Sequence, residues 1–151
     1  MGCLICDRID MIKKGTNPYF VTELETGYVV IGDHQHFKGY TLFLCKEHVT
    51  ELHFLPNDYK LLHLKEMSLV SEAVYHVFKP EKLNIESLGN GDSHLHWHLF
   101  PRVTGDTPTK GPVWLLPFEE LFGEANRPKA EELERMKHDL RTEIDRLLQS
   151  Q

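Results

Sequence analysis

His94-Leu95-His96-Trp97-His98-Leu99-Phe100 decides how the rest of this chain is read. Alternation of imidazole with apolar side chains has the period of a β-strand. His94, His96 and His98 therefore share one face, and Leu95, Trp97 and Leu99 the other, toward a core. A merely solvated face would carry Thr, Lys or Glu, whereas three neighbouring imidazoles repel when protonated and call for an anion or a metal. Two chemistries use such a face. In one, imidazoles ligate a metal that keeps an open position for water. Against it, side chains at i, i+2 and i+4 spread over roughly 13 Å of backbone and seldom converge on one ion. In the other, one imidazole attacks phosphorus and another attends the leaving group. Histidine suits this because it is partly neutral at pH 7 and leaves readily from a phosphoramidate.

Outward from this segment the chain alternates short strands with two long helices. Ser93 to Phe100 reads as a strand closed by Pro101, joined through the Asn90-Gly91-Asp92 turn to a strand over Leu83 to Leu88. Tyr19 to Leu24, Tyr28 to Ile31 and Gly39 to Cys45 are further β-branched or aromatic runs. A helix opens at Pro56-Asn57-Asp58 with Asn57 as N-cap, repeats apolar residues at Leu62, Leu69, Val70, Ala73, Val74 and Val77, and stops at Lys79-Pro80. Residues 104 to 118, rich in Gly and Pro, form an irregular loop. The tail from 128 to 148 carries Leu133, Met136, Leu140, Ile144 and Leu147 on an otherwise charged helix, which docks on the domain or meets a second copy. The fold class is α+β, with a main domain over 1–118 and a helical extension over 119–151.

Composition narrows the function. The 151 residues allow one ordinary domain, and a net charge of −6 argues against a nucleic-acid partner. No apolar run reaches the roughly 18 residues of a membrane span, and no signal-peptide pattern opens the chain, so a cytoplasmic location is expected. Cys6 stands where a myristoylation signal wants Ser or Thr. Three cysteines in a reducing compartment do not make a disulfide scaffold, and Cys3-Leu4-Ile5-Cys6 reads as a metal half-site. Cys45-Lys46-Glu47-His48 is a rival half-site, although Cys45 on a regular strand falls on the Thr41/Phe43 side and belongs to the core. His34 and His36 read as solvated turn residues.

The run from His94 through Pro101-Arg102 resembles the signature of the histidine triad (HIT) family, His-φ-His-φ-His-φ-φ. The likeness extends to Cys3-Leu4-Ile5-Cys6-Asp7 and to Lys38-Gly39-Tyr40 through Lys46-Glu47-His48, so it spans about residues 3 to 102. It implies a HIT-like antiparallel sheet with one inserted long helix, a C-terminal amphipathic helix and a homodimer. It also implies a nucleotide hydrolase or transferase acting on the α-phosphate of dinucleoside polyphosphates or nucleoside phosphoramidates. Carried over, His96 is the nucleophile that forms a covalent nucleotidyl-histidine, and His98 contacts phosphate and assists the leaving group. Zinc-bearing relatives imply a structural Zn2+ on Cys3, Cys6, His48 and His94, a closed Cys2His2 set; the alternative is a metal-free protein with two thiols.

Departures from the family concern the substrate more than the reaction. Tyr40 replaces a histidine that contacts the base, and the turn before the triad is shorter. Asn90 and the Gly91 backbone are the candidate phosphate contacts in that turn, Asp33 the ribose contact, and Trp114 either a cover for the base or plain packing. In a chain of charge −6, Arg102 and Lys38 are the local cations for a polyanion. Two other classes stay open: a nucleotide-binding module with little turnover, and a hydrolase that uses the three histidines as metal ligands.

Overall fold

In a computed structural model describing residues 2–151, five strands form one antiparallel sheet. They are β1 (Phe20–Glu23), β2 (Gly27–Ile31), β3 (Thr41–Cys45), β4 (Lys82–Glu86) and β5 (His96–Arg102), in the spatial order β1-β2-β3-β5-β4. Register sets the two faces: Val29 lies opposite Phe43 and Phe43 opposite Trp97, while Leu44 pairs with His96 and Leu42 with His98. One face is therefore apolar apart from the buried Thr41, and the other carries the imidazoles.

The apolar face is covered by α2 (Asn57–Phe78) and α4 (Ala130–Gln149). Leu69, Val70, Ala73 and Val74 of α2 and all five stripe residues of α4, Leu133, Met136, Leu140, Ile144 and Leu147, share one core with Val29, Ile31, Phe43 and Leu99. The tail helix thus docks on its own chain. On the opposite face α1 (Leu4–Lys13) sets Ile5 and Ile9 against Tyr28, Val30 and Leu44. That helix covers only the β1-β2-β3 end, and the β3-β5-β4 end with His96 and His98 is left for function.

Several element boundaries differ from the sequence reading. The segment with Cys3 and Cys6, to which the sequence reading assigns no element, opens α1, with Cys3 as its N-cap. The cap of α2 is Pro56, and Asn57 is the first helical residue, since the extended backbone of Pro56 ends where the helix begins. β5 starts at His96 rather than Ser93: Leu95 bonds Val49 O and Cys45 N, which draws His94 toward the turn after β3. Pro101 lies inside β5, opposite Leu83. β3 pairs only as far as Leu99, so the side to which Pro101 would present its N–H has no strand to bond, and the proline costs no ladder bond.

α2 carries two polar residues inward, His63 and Glu66, both buried. The Glu66 carboxylate accepts the backbone N–H groups of Glu25 (3.0 Å) and Thr26 (2.8 Å) and the Thr26 hydroxyl (2.5 Å). With its proton given to Glu66, Thr26 Oγ1 accepts from His63 Nδ1 at 2.9 Å, and His63 Nε2 accepts Trp97 Nε1–H at 3.0 Å. The neutral ring is fully satisfied, whereas a second proton would set two N–H donors against each other. Burial pushes His63 down to about 4. A histidine depressed in the folded state stabilises the fold above its unfolded pKa, and that contribution is lost as pH falls from about 6.5 to about 4. The loss is expected to be on the order of 3 kcal/mol, read as a drop in urea midpoint between pH 7 and pH 4.5. His63→Gln, which keeps one donor and one acceptor, should lose much less; equal losses would refute the assignment.

Candidate active site and metal centre

Four donors from three separate segments converge beside the end of β3. The turn of α1 between Cys3 and Cys6 brings both thiols to one place, and Cys6 N–H donates to Cys3 Sγ at 3.3 Å. His48 comes from the turn after β3, and His94 from the bend that precedes β5. Cys3 Sγ and Cys6 Sγ each lie 3.5 Å from His94 Nδ1, Cys6 Sγ lies 3.3 Å from His48 Nδ1, and the two imidazole nitrogens are 3.1 Å apart. All four atoms fall within 4.8 Å of one another.

A tetrahedral zinc with bonds of about 2.3 Å to sulfur and about 2.0 Å to nitrogen sets S···N near 3.5 Å and N···N near 3.3 Å, so the donor set fits zinc closely. The surroundings fit as well. His94 Nε2–H donates to Cys45 O at 2.7 Å, which leaves Nδ1 with the lone pair that faces the thiols. Burial and the adjacent Cys3 push the Cys6 thiol up to about 11, so two thiolates side by side here require a cation. Cys45 contributes only its carbonyl; its side chain is buried with Leu55 and Leu95. Asp92 accepts Leu4 N–H at 3.1 Å, adding a carboxylate to the N-terminus of α1.

The backbone of His94 also serves His96. Its carbonyl accepts His96 Nδ1–H at 2.6 Å, so the Nε2 atom of His96 keeps a free lone pair. His98, half-buried, has its ring centroid 4.8 Å from that of His96. Its Nδ1 is 2.7 Å from Tyr40 Oη, and Tyr40 stacks on Phe100 at 4.1 Å. Burial, reinforced by His96, pushes His98 down to about 4, and burial holds the Tyr40 phenol far above its ordinary value. Both groups are therefore neutral near pH 7. Trp114 meets His98 edge-on at 6.2 Å and donates its N–H to Glu86. No cluster of metal-ligating groups among the described residues includes His96 or His98.

Two cavities flank these groups. One, of about 300 Å3, is lined by Ser87, Gly89, Ser93 and His96; the other, of about 350 Å3, by Arg8, Asp33, Tyr40, Phe122 and Arg127. Asp33 thus borders a cavity that also reaches Tyr40, and it pairs with Arg8 at 3.2 Å. Asn90 and Gly91 are exposed in the turn and line neither. Arg102 is not free for a polyanion. Asp106 holds it with two bonds of 2.8 Å, and Asn84, Gly111 O and Thr107 Oγ1 take its remaining donors, which fixes the loop after β5. Lys38 pairs with Glu132 at 2.9 Å. His34 and His36 are half-buried rather than solvated: His34 packs edge-on against Phe122, and His36 Nε2 bonds Asp106 O. Arg8 and Arg127, which sequence reading passed over, supply the cationic side of the second cavity. The Ile5, Ile9, Ile12 spacing was the available sign of the helix that carries Arg8.

The HIT domain family model matches residues 17–105, more than half of the chain. No curated protein matches the chain significantly. Among solved structures, a histidine triad protein from Bradyrhizobium japonicum is 26% identical, with a TM-score of 0.71 over 83% of this chain and 89% of its own. A Zn-bound histidine triad family protein from Mycobacterium smegmatis is 20% identical, with a TM-score of 0.67 over 100% of this chain and 99% of its own. A hypothetical histidine triad nucleotide-binding protein from Sulfolobus tokodaii is 22% identical, with a TM-score of 0.70 over 94% and 93%.

Proposed function

Because the chain belongs to the HIT domain family, whose members in general are nucleotide hydrolases or transferases, we propose that it cleaves nucleotides at the α-phosphate through a covalent nucleotidyl-His96. One observation carries the reading: the bond from His96 Nδ1–H to His94 O leaves Nε2 as the unshared pair of the ring. In the first step Nε2 forms a bond to phosphorus. The bond from phosphorus to the leaving group breaks, and the leaving group takes the electron pair. Water then attacks phosphorus, the N–P pair returns to Nε2, and the water proton passes to solvent as the nucleoside monophosphate is released. His98 faces the same space and donates a hydrogen bond to phosphate or to the departing oxygen.

The substrates that suit this chemistry are dinucleoside polyphosphates and nucleoside phosphoramidates. Asp33 beside Tyr40 is positioned for a ribose hydroxyl in the second cavity, and Ser87, Gly89 and Ser93, which line the first cavity together with His96 where Asn90 and Gly91 do not, are the candidates for phosphate contact. Cys3, Cys6, His48 and His94 would hold Zn2+, as the Zn-bound relative from Mycobacterium smegmatis suggests. When bound, that ion is a structural tie between α1, the turn after β3 and the start of β5. A homodimer and a cytoplasmic setting belong to the same proposal; no helix is long and apolar enough to cross a membrane.

The test is release of AMP from diadenosine tetraphosphate and from adenosine 5′-phosphoramidate by the purified protein. Turnover of either supports the reading. Tight binding of AMP with no turnover of either compound would overturn it in favour of a binding module.

A further inference from the structure

Tyr40 stands 2.7 Å from His98 Nδ1, and among the described residues its hydroxyl has no other hydrogen-bond partner. A neutral phenol placed against a single nitrogen satisfies its proton only by donating it. His98 Nδ1 is then the acceptor, and the one proton of the neutral ring sits on Nε2, toward the space shared with His96. Stacking fixes the pair: the Tyr40 ring lies 4.1 Å from Phe100 at 11°, and the His98 ring lies 5.8 Å from Phe100 at 5°. The titratable and charged groups around His98 are His96 on its own strand, Tyr40 before β3, and Glu86 opposite it on β4, with Asp33 behind Tyr40. Glu86 is engaged by Trp114 N–H at 2.9 Å.

We propose that Tyr40 is a positioning residue that holds His98 as a neutral Nε2–H donor, and so restricts this site to substrates whose leaving group departs as an anion. The proposal rests on the hydrolase reading above and names the substrate class: phosphoanhydrides such as dinucleoside polyphosphates, in preference to P–N amidates. The difference is a proton. When His96 Nε2 bonds to the α-phosphorus of an anhydride, the P–O bond breaks and the leaving phosphate carries the pair away as a stable oxyanion. His98 needs only to keep its Nε2–H bonded to that oxygen. When the bond is P–N, the pair would leave on an amide anion, so a proton must be transferred to nitrogen as the bond breaks. A neutral imidazole whose other nitrogen already accepts the Tyr40 proton has no acidic proton to give. Burial, which holds His98 at about 4, acts in the same direction.

Tyr40→Phe tests this with little risk to the fold, because the ring stacked on Phe100 is kept and only the hydroxyl is lost. At pH 7 the wild type is expected to favour diadenosine tetraphosphate over adenosine 5′-phosphoramidate by about 100-fold or more in kcat/KM, the scale of one general-acid contribution. In Tyr40→Phe that ratio should shrink by about 10-fold or more. The change should come from the anhydride side, because loss of the phenol O–H no longer fixes the Nε2–H tautomer, while burial still keeps the His98 ring neutral near pH 7. A structural defect would lower both activities together and leave the ratio unmoved. Nitrogen-15 spectra of the imidazoles give a readout independent of turnover: wild-type His98 should show a protonated Nε2 and an accepting Nδ1 down to about pH 5. A wild type that prefers the amidate, a ratio unchanged in the variant, or a proton on Nδ1 would overturn this assignment while leaving the hydrolase reading intact. Silence on both compounds would overturn both.

Discussion

His96→Ala should lower nucleotide release by about 10^4-fold or more, the scale seen when a covalent nucleophile is removed and only binding and electrostatics remain. The magnitude follows from the division of labour along β5. His94 turns its Nε2 to Cys45 O and its Nδ1 to the thiols, and His98 is bonded to Tyr40 through Nδ1. Among the three only His96 keeps an unshared ring nitrogen pair with no partner among the described residues, so neither neighbour replaces it. The substitution should spare the fold. The His96 side chain bonds only the backbone of His94, and the backbone bond from Ser87 Oγ to His96 O survives. AMP release measured beside circular dichroism checks the expectation, and intact mass after a denaturing quench at alkaline pH, where the P–N bond survives, should show a nucleotidyl adduct on the wild type alone. A folded variant within ten-fold of the wild type would remove His96 from the nucleophile's role.

The alternation around Trp97 sufficed to place the strand and its two faces, because a two-residue period survives any detail of packing. It did not suffice for His94. That residue leaves the strand where Leu95 bonds both Cys45, the last residue of β3, and Val49 beyond it, a long-range contact that no local pattern encodes. The likeness to zinc-bearing relatives pointed to the four donors, whereas periodicity alone would have placed His94 beside His96 on the face. The tail helix was legible because its apolar stripe is unbroken on a charged background, while α1 was not, since its stripe is three residues long and its cap is a cysteine. Arg102 reads from the sequence as a free cation, whereas Asp106, four residues on, accepts from its Nε and Nη2 and Asn84 and Gly111 O accept from its Nη1. The polar pair His63 and Glu66 was hidden for a related reason. Helical spacing marks the inward face but does not say that its partners on β5 and in the β1-β2 turn supply donors and acceptors. Tyr40 was visible as a departure; its bond to His98 was not.

Replacing Cys3 and Cys6 together with serine should abolish metal binding and lower the melting temperature by roughly 10 °C, corresponding to about 3 kcal/mol for a domain of this size. Small metal-folded modules lose far more, because they have no other core. Here the sheet, α2 and α4 share a core that does not touch the metal group, so the expected damage is regional. Without the tie, α1 is held by Ile5 and Ile9 against Tyr28, Val30 and Leu44, by the Arg8–Asp33 pair, and by Asp92 at its N-terminus. Its detachment would expose that apolar patch and open one wall of the cavity that contains Asp33. The variant should therefore lose affinity for nucleotide more than it loses kcat, the opposite of His96→Ala, because His94 O can still accept from His96 Nδ1 while the ribose side of the site loosens. Elemental analysis decides the assignment first: one zinc per chain in the wild type and in His96→Ala, none in the double serine variant. Metal retained after loss of both thiols but lost with His96 would instead make the three histidines the ligands. A wild type whose melting temperature is unmoved by a strong chelator would deny the ion its structural role.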